Sequence, residues 1–495
     1  MIFCIFAPCL TYIATKTQIL YNKTILLTIM KIKSLIFSLF VAVMLVSVGC
    51  DNGKPYKMVD GRIYLKTPER PAGQQDMLLF AAEPIDVVRV GFIGLGDRGA
   101  SAPKRWAYIE NTDILAICDL KQEKIDKVQG YLKEAGRHAA DEYTGSEDAW
   151  KAICERDDID IVYISTPWHS HVEMSVYAME HGKHVAVEMP AAMTIDELWT
   201  LIDTSERTRR HCFMTENCVY DYYEMTVLNM AQQGLFGEIL HAAGGYSHCL
   251  DQLLSKPEPR WRVERMRIFR GDPYPTHGLG PVCQLLNIHR GDRLDYLVSI
   301  DTKPVVGRKL YTNATGENPE DFKNGDQTTT LIRTVNGKTI HLFHNVVTPR
   351  PYHRGYSLVG TEGYVEKYPY ENMMIGSEVE EGVNPNTLGA HKFMSDKERK
   401  ALLEQYKHPI IVETEKMAKK VGGHGGMDYI LDYRLVYCLR HGLPLDMDVY
   451  DMAEWSCVVA LSGISLENGS VPVAVPDFTR GAWNKIDGFH HAMKK

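Results

Sequence analysis

From Val87 onward the chain alternates short apolar runs with stretches of helical periodicity. Val87-Val88-Arg89-Val90-Gly91-Phe92-Ile93, Asp113-Ile114-Leu115-Ala116-Ile117-Cys118, Ile159-Asp160-Ile161-Val162-Tyr163-Ile164 and His184-Val185-Ala186-Val187 each have the length and apolar density of a strand buried on both faces. Phe213-Met214-Thr215 predicts a fifth. Between them, 172–181 and 194–208 read as helices. Strand–helix alternation of this kind predicts a doubly wound parallel sheet. After Asn217 the texture changes. A helix at 222–233 leads into Ile239-Leu240-His241-Ala242-Ala243-Gly244-Gly245-Tyr246, and β-rich segments follow at 328–334, 339–346 and 356–359. Helices at 427–440 and 449–462 close the chain. The predicted class is α/β: an N-terminal Rossmann sheet over 84–217, then a C-terminal α+β domain over 218–495 with an open, largely antiparallel sheet and C-terminal helices.

The first fifty residues follow another logic. Lys31 and Lys33 precede the apolar run Leu35-Ile36-Phe37-Ser38-Leu39-Phe40-Val41-Ala42-Val43-Met44-Leu45-Val46, which ends in Ser47-Val48-Gly49-Cys50. A basic segment, a short apolar segment and a small residue before the cleavage point predict a secretory signal over 1–49. The ending resembles a bacterial lipobox, which implies a lipid on Cys50 and a tether over 50–83. The expected location is a bacterial cell envelope, with the chain held at the membrane by that lipid. A single transmembrane anchor is the competing reading, but the run is shorter than the ~20 apolar residues a span needs. Met30 suits a signal start better than Met1, so 1–29 reads as an upstream mis-start.

Composition adds exclusions. With 495 residues, net charge −8 and 24% charged residues, the chain has room for about two or three domains. It offers no basic stripe to a nucleic acid. Neutral sugars or other small ligands fit better. Cys118, Cys154, Cys212, Cys218, Cys249, Cys283, Cys438 and Cys457 form no C-x-x-C pair, which excludes a zinc ribbon and a disulfide framework.

Gly94-Leu95-Gly96-Asp97-Arg98-Gly99 follows a predicted strand and opens a helix. Its glycines permit a tight turn and close approach of backbone to a pyrophosphate at a helix N-terminus. Asp119 ends the next strand about twenty residues on, where a carboxylate binds the ribose 2′-hydroxyl and disfavours a 2′-phosphate. NAD is therefore the expected cofactor; a Gly-rich turn that binds nothing is the bland alternative. Thr166-Pro167-Trp168-His169-Ser170-His171, Gly182-Lys183-His184-Val185 and Glu188-Met189-Pro190 resemble the glucose–fructose oxidoreductase/inositol dehydrogenase family. There the last motif reads E-K-P, and its Lys assists hydride transfer. Here Met189 stands in that place, carrying neither charge nor proton.

Glu216-Asn217-Cys218-Val219-Tyr220, Gly244-Gly245-Tyr246, Arg260-Trp261-Arg262, Tyr274-Pro275-Thr276-His277-Gly278-Leu279-Gly280-Pro281 and Arg354-Gly355-Tyr356 resemble glycoside hydrolase family 109, the α-N-acetylgalactosaminidase branch of that superfamily. The resemblance implies cofactor contacts at Gly94, Gly96, Asp97, Arg98, Gly99, Asp119, Trp168, His169, Ser170, His171, Glu188, Met189, Asn217 and Tyr274. It implies a substrate site at Tyr246, Arg262, Tyr274, Pro275, Thr276, His277 and Tyr356. It also implies a route that departs from the paired carboxylates of common glycosidases: the sugar is transiently oxidised at C3, the aglycone leaves by elimination, water adds at C1, and the ketone is reduced again. The implied substrate is a small glycoside or glycan terminus.

Such a route needs bases, and His and Tyr are suitable types. His277 is the expected base at the oxidised hydroxyl, with Tyr274 and Tyr356 positioning or moving protons. Each residue has a bland alternative: a His after Pro-Thr also caps turns, and Tyr246 and Tyr356 also suit ordinary packing. Gly422-Gly423-His424-Gly425-Gly426 fits a site loop and a plain flexible loop equally. His169-x-His171 lacks a third ligand of convincing spacing, so no metal is expected. The rival functions are a sugar oxidoreductase with net hydride transfer and a non-catalytic sugar-binding lipoprotein. The open face of the second sheet is the expected surface for a homo-oligomer. No twin-arginine pair precedes the apolar run, so the chain is expected to cross the membrane unfolded and to acquire NAD outside the cytoplasm.

Overall fold

A computed structural model describes residues 56–255, 260–376 and 392–494. The predicted signal and Cys50 lie outside them. The chain divides into two units, Met1–Lys57 and Met58–Lys495, and all contacts below lie within the second. No described helix is long and apolar enough to cross a membrane.

The Rossmann sheet is six-stranded and parallel throughout. Its spatial order is Asp141–Tyr143, Thr112–Cys118, Val88–Ile93, Ile161–Ile164, His184–Val187, Cys212–Met214. The inner strands are buried on both faces, as their unbroken apolar runs require. Asp141–Tyr143 was not anticipated; it is short and polar, with burial too slight to leave an apolar signature. Helix Ile195–Thr208 starts at a capping box between Thr194 and Glu197, which satisfies backbone donors at the helix end.

The second sheet is mixed and largely antiparallel. Arg62–Leu65, Val473–Ala474, Leu294–Asp301, Thr328–Thr334, Thr339–Asn345, Ile239–Ser247, Ser357–Gly360, Gly363–Glu366 and Asn372–Ile375 lie side by side in that order. Thr339–Asn345 runs parallel to Ile239–Ser247. One face, with Leu297, Ile332, Ile340, Leu342, Ala242 and Leu358, is buried. Helix Val449–Glu467 meets it where Ser465 Oγ accepts the Ser299 N–H (3.0 Å). The other face leaves Ile300, Leu331 and Val359 exposed.

Two results differ from the sequence reading. Residues 58–83, expected as tether, are packed: Ile63 and Met77 are buried, Arg62–Leu65 pairs with Val473–Ala474, and Arg70 forms a two-pronged ion pair with buried Glu206 (2.9 and 3.1 Å). Isolated apolar residues in a polar stretch carry no period, so the segment read as unstructured. The late helices also do not stay in the second domain. Helix Met427–His441 joins Rossmann helix Asp97–Trp106 through Arg105 and Asp432 (2.6 Å). Helix Val449–Glu467 packs on strand Cys212–Met214, with Ser456 Oγ 3.5 Å from Met214 Sδ.

Candidate active site

The Gly-rich turn is built for close approach. Gly94 sits at φ +84°, a region that favours glycine, and a Cβ there would lie 2.8 Å from the Ser165 carbonyl. A Cβ on Gly99 would overlap the Gly94 carbonyl. Gly96 differs: among the described residues a Cβ there meets nothing within 4 Å, so the open space lies directly over the N-terminus of helix Asp97–Trp106. Asp97 and His169 are exposed. Asp119 accepts the N–H of Leu95 (2.7 Å) and of Lys121 (3.0 Å), and a carboxylate keeps further lone pairs for a ribose hydroxyl. The cradle, the helix terminus and the strand-end carboxylate fit NAD.

The Trp168–His171 segment and Glu188–Met189 follow the ends of the next two strands, Ile161–Ile164 and His184–Val187. Trp168 Nε1–H donates to the Met189 carbonyl (3.2 Å), and Met189 is itself buried. Ser170 Oγ donates to Thr166 Oγ1 (2.8 Å). His171 is fully buried, with Nδ1 3.0 Å from the Pro190 carbonyl and Nε2 2.8 Å from the Thr166 carbonyl. Burial pushes its imidazole down, against those carbonyls. Both ring nitrogens face backbone carbonyls, of which the neutral imidazole donates to one, and the ring packs between the two loops.

The side facing the cradle is assembled by a backbone contact. Gly278, in helix Thr276–Leu285, lies against Gly244 and Gly245 of strand Ile239–Ser247: a Cβ on Gly278 would come 2.5 Å from Gly245 Cα. Only glycine permits helix and strand to meet this closely. The contact sets His277 against Tyr246, ring centroids 5.1 Å apart. Tyr274 is 4.9 Å from His277 and stacks on Trp168 at 6.1 Å. Arg262 lies over Trp168 (5.1 Å) and Trp261 (4.5 Å). Pro275 and Thr276 are buried at the helix start.

The residue that the sequence reading quoted but gave no role is Glu216. Its side chain is fully buried, and Oε1 lies 2.6 Å from His277 Nδ1 and accepts the Cys218 N–H (3.0 Å). Burial alone would raise its carboxyl; His277 and the hydrogen bonds hold it below the ordinary range. A carboxylate–imidazole pair of this kind fixes ring orientation and stabilises imidazolium as it forms. No local spacing could reveal it, because the partners are far apart in sequence. Gly280 admits Glu216 to the helix, with its would-be Cβ 3.2 Å from Glu216 Cγ.

The loop that carries His424 lies beside Arg98 of the dinucleotide turn. Every residue from Gly422 to Gly426 has positive φ. His424 Nδ1 lies 2.8 Å from Asp428 Oδ2 and 3.0 Å from Arg98 Nη1. Asp428 also accepts from Arg98 (3.2 Å) and from Asn217, and Arg98 approaches Glu188 at 3.6 Å. The loop thus sits at the rim of the dinucleotide cradle, with the His424 side chain 55% exposed.

Tyr356 is not brought into this group. It is 2% exposed, packs edge-on to Tyr223 (6.3 Å), and among the described residues its hydroxyl has no hydrogen-bond partner. Strand Ser357–Gly360 begins at the next residue and carries its ring into the core. Nearby Arg354 bonds Asp221 (2.7 Å) and Glu224 (2.6 Å), while Lys367 bonds both acids as well. Glu216, Cys218 and His277 place three ligating atoms within 4.8 Å of one another. Arg354 Nη1, however, stands 3.4 Å from Cys218 Sγ, a cation where a metal would need a thiolate.

Burial pushes the Tyr246 hydroxyl up to about 12 and Tyr274 well above its ordinary value. Both are therefore hydrogen-bond donors at neutral pH. Behind Tyr274, Asp272 accepts the Tyr274 N–H (2.9 Å), and burial pushes its carboxyl up to about 7.

A phosphate cradle at the strand ends, opening onto an imidazole paired with a carboxylate among aromatic rings, defines a nicotinamide-dependent enzyme. Comparison with known proteins places it. Residues 88–216 match the oxidoreductase family, NAD-binding Rossmann fold, and residues 220–485 match the glycosyl hydrolase 109 C-terminal domain. Glycosyl hydrolase family 109 protein 1 of Phocaeicola vulgatus is 58% identical over 429 residues, 86% of this chain and 91% of that one. Its namesake in Bacteroides thetaiotaomicron is 54% identical, covering 93% and 99%. Levoglucosan dehydrogenase in complex with NADH and levoglucosan shares the fold, with TM-score 0.57 and 17% identity over 79% of this chain and 100% of that chain. So does the WlbA dehydrogenase of Bordetella pertussis in complex with NADH and UDP-GlcNAcA, at 0.56 and 15%, over 80% and 99%. The chain belongs to glycoside hydrolase family 109, and its cofactor is NAD.

Proposed function

We propose that this enzyme hydrolyses terminal α-linked N-acetylgalactosamine, or a close relative, with no net redox change. The observation that carries the reading is the Glu216–His277 pair beside the dinucleotide cradle (2.6 Å), in a chain whose position 189 holds a buried Met in place of a Lys. NAD, when bound, supplies the acceptor for the C3 hydride and its later return. With Nδ1 held by Glu216, His277 offers Nε2 to take the proton of the 3-hydroxyl. Glu216 stabilises the resulting imidazolium. Tyr246 and Tyr274 donate hydrogen bonds to the sugar. His424, on its all-positive-φ loop, is the second imidazole at the cleft and exchanges a proton with the leaving group. Arg262 binds the sugar or its acyl carbonyl.

The test uses nitrophenyl α- and β-glycosides with and without added NAD, following phenolate and reduced cofactor together. Release from the α-N-acetylgalactosaminide without accumulation of NADH is expected, and His277→Ala should abolish turnover while retaining cofactor. Stoichiometric NADH would instead establish the rival oxidoreductase. Hydrolysis by protein stripped of NAD would remove the reading altogether.

The proposal extends to location and assembly. Lys31, Lys33 and the run ending at Cys50 support a lipid-anchored protein of a bacterial envelope, for which Cys50→Ser should move the enzyme out of the membrane fraction. The sheet face bearing Ile300, Leu331 and Val359 supports pairing with a second copy. Leu331→Lys should then lower the mass measured by light scattering.

A further inference from the structure

Tyr246 is a junction. On one side its ring meets His277 and Tyr274, which leads through Trp168 to the cofactor cradle. On the other it meets Tyr352 at 6.1 Å and His248 at 6.2 Å, and these two meet each other at 5.3 Å. Tyr352 in turn reaches Tyr368 at 6.2 Å. The path of rings thus runs from the reacting end of the cleft to the surface, where Tyr352 is 39% exposed.

Tyr352 is exposed yet held. Arg354 Nη1 donates to its hydroxyl (3.2 Å), and the Arg354 guanidinium lies 5.8 Å from its ring centroid. Arg354 is itself anchored by Asp221 and Glu224. A side chain that costs little further entropy to fix is a preorganised contact surface. An exposed aromatic ring flanked by an imidazole suits a pyranose, whose C–H face packs on the ring while its hydroxyls bond to the nitrogens.

We infer that Tyr352 and His248 form a subsite for the sugar on the leaving side of the scissile bond. The inference rests on the glycosidase reading above. A sugar whose 3-hydroxyl faces His277 and whose C3 faces the cofactor occupies the inner side of Tyr246. The group attached at its C1 then extends outward, and Tyr352 and His248 are the rings on that path.

The experiment compares one donor sugar in two forms, as its methyl glycoside and as the non-reducing end of an α-linked disaccharide, with NAD-loaded wild type, Tyr352→Ala and Tyr352→Phe. The expected result is a fall of about tenfold in kcat/KM for the disaccharide in Tyr352→Ala, with the methyl glycoside unchanged. Tyr352→Phe, which keeps the ring, should retain most of the activity. Equal losses on both substrates would place Tyr352 at the donor sugar and overturn the subsite. No loss on either would also overturn it. Hydrolysis of neither substrate by wild type would remove the glycosidase reading, a distinct failure that takes the subsite with it. Melting temperature and bound NAD, measured on each variant, show that the fold is intact.

Discussion

Replacing Glu216 by Gln changes one charge in a fully buried position while keeping shape. In the wild type, Oε1 receives His277 Nδ1 (2.6 Å) and the Cys218 N–H (3.0 Å), and Oε2 has no partner among the described residues. The Gln carbonyl can keep both bonds, so what disappears is the ionic part of the link to His277. A hydrogen bond to a charged group contributes about 1.5–3 kcal/mol and a neutral one about 0.5–1.5. The difference, about 1–1.5 kcal/mol, corresponds to roughly a tenfold smaller stabilisation of the imidazolium. We therefore expect kcat for glycoside cleavage to fall about tenfold, short of the 10²–10⁴ that general-base loss in His277→Ala brings. Steady-state kinetics, with bound NAD checked by mass spectrometry, measure this. An unchanged kcat would refute the pairing as a functional device.

Gly96→Ala should melt at the wild-type temperature, because its Cβ meets nothing within 4 Å at φ −63°, ψ −169°. It should nevertheless retain less NAD after purification, since the methyl group enters the cradle. Asp272 gives a pH signature. Its folded-state carboxyl, pushed up to about 7 by burial from 3.8, binds its proton more tightly than the unfolded chain does. Stability is therefore greatest at low pH and falls as pH rises through this window, by up to about 4 kcal/mol. Asp272→Asn keeps the acceptor for the Tyr274 N–H and should flatten that slope in thermal melts between pH 4 and 8; a pH-independent offset from wild type would contradict this. Tyr356→Phe removes a buried hydroxyl that has no partner among the described residues, so stability should hold or rise slightly. A large loss of kcat in that variant would show that substrate supplies the missing hydrogen bond.

The Rossmann half was legible because its signals are local. Unbroken apolar runs such as His184-Val185-Ala186-Val187 are forced onto a strand buried on both faces. Gly94, Gly96 and Gly99 at a strand–helix junction leave few uses for the turn besides holding a pyrophosphate. The Y-P-T-H-G-L-G-P stretch carried the family resemblance, and its Gly278 proved to be the close contact that seats His277. Less was readable where partners are distant or the element is polar. Asp141–Tyr143 carries no apolar pattern, and the strand at Arg62–Leu65 is recognisable only once Val473–Ala474 is beside it.

By itself, the sequence determined the class of fold and the cofactor. Each follows from residues close enough to act within one turn or one strand. Tertiary structure alone decided that His277 has Glu216 as its partner, that His424 joins Arg98 and Asp428 at the rim of the cradle, and that Tyr356 is turned into the core. The physical reason is range. Periodicity and turn chemistry act over a few residues, whereas a hydrogen bond between side chains needs only an approach of about 3 Å, and that approach is set by how the two sheets and the late helices pack.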